Sequence, residues 1–145
     1  MNTHNVILVC GDRKWTDRAL VTAALARFPK SVTVIHGGAK GADTIAGEEA
    51  ARLGMNVAVY NAEWERYGRG AGPIRNERML KEGRPHTVLA FHDDLANSKG
   101  TASMLRLSLK DHNVRTTWLF SHAQPEGKLI RALPPPGATG EEKPE

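Results

Sequence analysis

The sequence predicts an α/β protein: a single Rossmann-like three-layer domain built on a parallel five-stranded sheet. Three observations carry this expectation. Short runs rich in Val, Ile and Leu alternate with stretches of helical period. Glycine and proline mark the joins. Charged, aromatic and glycine residues collect after the strands rather than before them. Strands alternating with helices argue for a parallel sheet covered on both faces, and right-handed crossovers leave few topologies. The order 3-2-1-4-5 is expected.

The elements follow in turn. "NVILVC" (5–10) reads as the first strand. "TDRALVTAALARF" (16–28) reads as a helix, with Thr16 or Asp17 as N-cap and Val21, Leu25 and Phe28 on one face. "SVTVIH" (31–36) is the second strand. "ADTIAGEEAARLG" (42–54) is the second helix, with Asp43 placed to cap it and Gly54 to end it. "NVAVYN" (56–61) is the third strand. "PIRNERMLKEG" (73–83) is the third helix, Pro73 in its first turn and Gly83 at its end. "HTVLAFH" (86–92) is the fourth strand, "GTASMLRLSLKDHN" (100–113) the fourth helix and "VRTTWLF" (114–120) the fifth strand. The domain is expected over residues 1–120. Residues 121–145 read as an extended, largely flexible tail whose last dozen residues are disordered. "KLIRAL" (128–133) is its one apolar island, suited to docking on the domain or on a partner.

With 145 residues the chain suffices for one domain with a single core. Hydrophobic residues make up 40% and charged residues 25%, as in soluble globular proteins. No run approaches the ~18 apolar residues of a membrane span, and "MNTHNVILVC" lacks the features of a signal peptide. A cytoplasmic location is expected. Cys10, the one cysteine, lies in an apolar run and reads as a buried hydrophobe. The six histidines show no zinc-type spacing, so no metal site is expected, and no cofactor is implied. The net charge of +4 favours an anionic ligand.

In open parallel sheets, ligands sit beyond the carboxyl ends of the strands. Those ends carry "GDRKW" (11–15), "GGAKGAD" (37–43), "NAEWERYGRGAGPIRN" (61–76) and "HDDLANSKGT" (92–101). Gly37, Gly38 and Gly41, with Ala39 between them, let backbone N–H groups approach an anion at a helix N-terminus. The alternative is a tight strand-to-helix turn. Ser98, Gly100 and Thr101 repeat the pattern at the fourth helix. Gly11, Asp12 and Arg13 follow the first strand directly, and Arg13 is placed to touch a ligand, whereas Trp15 is placed to pack at the helix start. Asp43 serves as a cap, a ligand contact or both. Trp64 stacks on a base or anchors its loop on the core. Arg75 and Asn76 are the leading phosphate contacts of the third helix, where a guanidinium fork suits phosphate. Asp12, Asp43, Glu63, Asp93 and Asp94 all fall at the rim, but no spacing singles out a catalytic pair.

"HGGAKGADTIA" followed by "RGAGPIRNERML" resembles the YspA-like family of the SLOG superfamily. That superfamily also holds the LOG phosphoribohydrolases, which release cytokinin bases from nucleotides, and the DNA-processing protein DprA. The resemblance spans residues 5 to about 120. It implies a Rossmann-like fold that binds nucleotides or nucleotide-derived signals, a bacterial or phage setting, and homo-oligomers. LOG enzymes carry P-G-G-x-G-T-x-x-E after the fourth strand. Here "LANSKGTASM" (95–104) keeps Gly100 and Thr101, but has Asn97 and Ser98 at the leading glycines and Met104 at the catalytic glutamate. The resemblance thus implies ligand binding more than LOG-type hydrolysis. A LOG-site arginine is matched by Arg75 or Arg78.

Three functions stay open. The leading one is binding of a nucleotide or nucleotide-derived small molecule, by a sensor or sequestering protein. The second is a nucleotide-processing enzyme, an N-glycosidase or phosphoribohydrolase. The third is DprA-like binding of single-stranded nucleic acid, for which Arg66, Arg69, Arg75, Arg78, Lys81 and Arg84 supply a basic patch. A homodimer or dimer of dimers is expected, because Met104 and Leu107 fall off the stripe of Ala102, Leu105 and Leu109 that should cover the sheet.

Overall fold

Ile7 and Val9 face one way and Leu8 and Cys10 the other, as the two-residue period of a strand requires. Both pairs are buried, so the first strand lies at the centre of a sheet covered on both sides. The computed structural model describes residues 5–133. It places strand β1 (Val6–Gly11) between β2 (Thr33–His36) and β4 (Thr87–Phe91). Strand β3 (Asn56–Val59) lies outside β2, and β5 (Thr116–Phe120) outside β4. These five pair in parallel, with Leu8 opposite Ile35 on one side and Val88 on the other.

Helices cover both faces. Helix α1 (Arg18–Leu25) and α2 (Ala42–Arg52) enclose Ile7, Val9, Val34 and Phe91, adding Val21, Leu25, Ile45 and Ala50. The short α3 (Trp64–Tyr67) precedes α4 (Ala71–Gly83), which joins α5 (Gly100–Lys110) over the other face. There Met79, Leu80, Met104 and Leu105 pack on Leu8, Cys10, Ile35 and Val88. Among the described residues no helix is long and apolar enough to cross a membrane.

The structure refines or corrects the sequence reading in four places. The sheet has six strands, ordered β3-β2-β1-β4-β5-β6. The sixth, β6 (Lys128–Ala132), is the apolar island of the tail, paired antiparallel to β5. Gly127 turns the chain into it at φ 94°, where a Cβ would lie 2.6 Å from the Phe120 ring. The Arg131 guanidinium donates to the Ser108, Leu109 and Asp111 carbonyls at the end of α5. The disorder expected for the last dozen residues lies outside the described residues. Second, Asp17 alone caps α1, accepting from Leu20 N at 3.0 Å. Third, Gly41 holds the N-cap position of α2, and Asp43 bonds backwards into the preceding turn. Fourth, α5 buries Thr101, Met104, Leu105 and Ser108 rather than Ala102, Leu105 and Leu109. Met104 is core, and half-buried Leu107 packs in the same cluster as Ile130 of β6. The apolar patch behind the expected homodimer is therefore absent from this helix.

Candidate ligand-binding cleft

The turns after β1, β2 and β4 meet α4 and the start of α5 in a cleft at the carboxyl edge of the sheet. It has two compartments, of about 400 and 380 Å³. The first is lined by Gly11, Asp12, Asp43, Asn76, Ser98, Gly100 and Thr101. The second is lined by Gly37, Gly38 and Trp64. Arg13, Ala39 and Arg75 belong to both and stand between them. Of the residues read in the sequence as ligand contacts, Gly41 lines neither. Glu63, Asp93 and Asp94 also stand outside: Glu63 faces Arg66 at 3.7 Å, Asp93 holds His122, and Asp94 accepts from Asn97 Nδ2 at 2.7 Å. Arg78 pairs with Glu82 at 3.3 Å. Tyr67 lies beside the Arg66 guanidinium, 4.9 Å from the ring centre.

The glycines of "GGAKGAD" make room chiefly for protein. A Cβ on Gly37 would lie 2.3 Å from Arg75 Nη1, which donates to the Gly37 carbonyl. One on Gly38, at φ 74°, would lie 2.3 Å from Asn61 Oδ1. One on Gly41, at φ 77°, would lie 2.3 Å from the Asp12 carbonyl, itself the acceptor for Ala42 N and Trp15 N. The bare backbone thus locks the turn after β2 against the turn after β1 and against α4. Gly100 differs, since nothing lies within 4 Å of its Cβ position. At the same turn Ser98 Oγ accepts from Thr101 N at 3.1 Å.

Asp43 is the buried charge of the site. Its Oδ2 accepts from Gly37 N at 2.9 Å and from Ala39 N at 3.4 Å. Burial pushes its pKa up to about 6, against the lowering effect of those N–H groups and of Arg75. Arg75 Nε donates to Asn76 Oδ1 at 2.8 Å, which orients both side chains. Burial pushes the Cys10 thiol well above its usual range, and nearby Asp43 adds to this, so Cys10 is an inert wall group. Met104 completes that wall where the LOG pattern has glutamate.

His92, Asn97, Lys14 and Lys99 line the first compartment, and Lys40, Asn61 and Ala62 the second, without having been singled out. One signal for His92 was present. His36 and His92 end β2 and the extended run after β4, and each Nδ1 accepts the N–H two residues on, from Gly38 and Asp94, at 3.0 Å. Each ring therefore carries its proton on Nε2. That atom of His92 faces Asp12 Oδ2 at 3.9 Å, while that of His36 lies where a Cβ on Gly47 would be, 2.5 Å away. Burial, then Arg75, lowers the His36 pKa and keeps it neutral.

A mostly parallel sheet with a polar cleft beyond its strand ends defines a Rossmann-like α/β protein. Residues 5–67 match the family described as YspA, cpYpsA-related SLOG. The chain is 40% identical over 113 residues to the "Gene 61 protein" of Mycobacterium phage D29, covering 72% of this chain and 88% of that one. It belongs to the YspA, cpYpsA-related SLOG family. No solved structure matches it.

Proposed function

We propose that this protein binds a nucleotide or nucleotide-derived small molecule in the rim cleft, as a sensor or sequestering protein. The observation that carries the reading is the placing of Arg13 and Arg75 between the two compartments. Two guanidinium groups in a concave site suit phosphate oxygens, which they meet with paired N–H donors. Trp64, with 51% of its surface exposed, offers an unstacked ring at the mouth of the second compartment, suited to a base. Membership of the SLOG family supports the same ligand class.

Titration calorimetry with nucleoside mono- and diphosphates tests this. Arg13→Ala should weaken binding at least tenfold, about 1.4 kcal/mol, with the melting temperature unchanged. Absence of binding by every nucleotide at ~1 mM, where even a ligand worth only about 4 kcal/mol registers, sinks the reading.

Asp43 favours a second reading. A buried carboxyl with a pKa of about 6, lining a nucleotide cleft, is suited to protonate a departing base. Chromatography of incubated nucleotides would reveal base release. A rate equal to the buffer control removes the enzyme reading and leaves binding.

A further inference from the structure

The two compartments differ in chemistry, and the difference is informative about the ligand. The floor of the first is built from Asp43, Asn76 and Thr101, all buried, with half-buried Asp12 beside them. These are two carboxyls, an amide and a hydroxyl. Its lysines, Lys14 and Lys99, are exposed at the mouth. A phosphate driven to that floor would meet two carboxyl groups, one of them buried, and like charges repel. A sugar would not. Its hydroxyls donate to carboxylates and to the Asn76 carbonyl, and accept from Thr101 Oγ and His92 Nε2. His92 is already aimed there, with its Nε2 proton toward Asp12 at 3.9 Å.

The arginines line this compartment only where it borders the second, which they line as well. A mononucleotide with its base on Trp64 would leave either the guanidinium groups facing a neutral ribose or the first compartment empty. Each compartment, near 400 Å³, lies at the small end of ligand sites of about 300–1,000 Å³. One longer ligand fills both.

We infer that the ligand is a nucleoside-diphosphate sugar: base against Trp64, diphosphate between Arg13 and Arg75, and sugar on the floor formed by Asp12, Asp43, Asn76 and Thr101. This rests on the nucleotide reading above and adds the part of the ligand beyond the diphosphate. The carboxyls are then sugar-recognition groups, and the ligand is distinguished from abundant nucleoside diphosphates by the half it carries past the arginines.

Calorimetry with matched pairs tests it: ADP against ADP-ribose, GDP against GDP-mannose, UDP against UDP-glucose. In at least one pair the sugar-bearing member should bind about tenfold tighter or more. Thr101→Val, nearly isosteric, should erase most of that advantage and leave the plain diphosphate unaffected. Trp64→Ala should weaken both members alike. If the best-bound diphosphate matches its sugar conjugate within about twofold, or Thr101→Val weakens both equally, the floor takes phosphate and the sugar inference falls while the nucleotide reading stands. If no compound of any pair binds, both fall together.

Discussion

At the scale of single residues, Gly41 and Gly100 both stand at the start of a helix, yet their surroundings assign them opposite roles. Gly41 combines φ 77° with carbonyl oxygens of Asp12 and Arg13 at 2.3 and 2.4 Å from its absent Cβ. Gly41→Ala should therefore cost at least about 2 kcal/mol in urea unfolding, from left-handed strain and displaced backbone. Gly100 has open space in the cleft. Gly100→Ala should leave stability unchanged or raise it by up to about 1 kcal/mol, while weakening binding of the sugar-bearing ligand severalfold. An equal loss of stability in both variants would show that the two turns do not differ as described. Asp43 supplies a pH test at the same scale. Its folded pKa, about 6, exceeds the ordinary 3.8. Between those values the folded chain holds a proton that the unfolded chain has released, so stability falls as pH rises through that window, by at most about 3 kcal/mol. The stability difference between wild type and Asp43→Asn should shrink by up to that amount from pH ~4 to pH ~7, and a constant difference would refute the buried acid. The sequence shows why only part of this was legible. A glycine-rich turn is visible as a string, but the groups filling the space beside it, Asn61 and Arg75, are brought there by β3 and α4. Only the long-range pairing reveals that the bareness serves the protein as well as any ligand.

Among the elements, the link between β5 and β6 makes a clasp. His122 lies in this connection, with Nδ1 2.7 Å from Asp93 Oδ2 and Nε2 2.9 Å from Asp17 Oδ2. Its ring stacks on Trp15 at 4.8 Å. The clasp thus joins the α1 cap, the turn after β4 and the approach to β6. Hydrogen bonds to Asp93 and Asp17 raise the His122 pKa above 6.5. Those of Asp17 and Asp93 fall below 3.8, chiefly through N–H donors, from Leu20 and from His122. The histidine's contribution is complete below 6.5 and is lost as pH rises through its higher folded value. The carboxylates' contributions are complete above 3.8 and are lost as pH falls through their lower folded values. The clasp is therefore strongest between those limits. His122→Ala should lower the melting temperature most near pH ~5 and least near pH ~9, with the gap narrowing in high salt because the pair is exposed. A gap independent of pH would mean that the ring acts only by stacking. β6 itself was visible only as an apolar island, because an edge strand with one covered face lacks the continuous apolar run that marked β1 and β4. α3, four residues long, is too short for a helical period to show. The inner face of α5 was misread because two of its four buried residues, Thr101 and Ser108, are polar.

For the whole molecule, the question is which surface would join two copies in the expected homodimer. The sheet ends in two edges. β6 presents exposed Lys128, a charge that opposes pairing with another strand. β3 ends in Val59, 49% exposed, and Trp64 follows at 51% and Tyr67 at 37%. Val59 and Trp64 both border the turn at Gly38, since Val59 Cγ1 lies 3.1 Å from the Cβ position there and Trp64 lines the same compartment. Exposed apolar groups gathered at one corner mark a ligand groove or an interface, and here the two adjoin. With Met104 in the core, the homodimer proposed for this chain belongs at the β3 corner rather than on α5. Closed two-fold symmetry would then bring two ligand mouths close together. Light scattering at ~50 μM should give a dimer mass for the wild type. Val59→Lys, which sets a charge in the middle of the corner, should give a monomer with an unchanged far-ultraviolet circular dichroism spectrum, because Val59 contributes little to the core. If the interface also orders Trp64, nucleotide affinity in that monomer should drop severalfold and its tryptophan emission should shift to the red. A wild-type mass equal to one chain, unchanged by saturating nucleotide, would show that the corner serves the ligand alone.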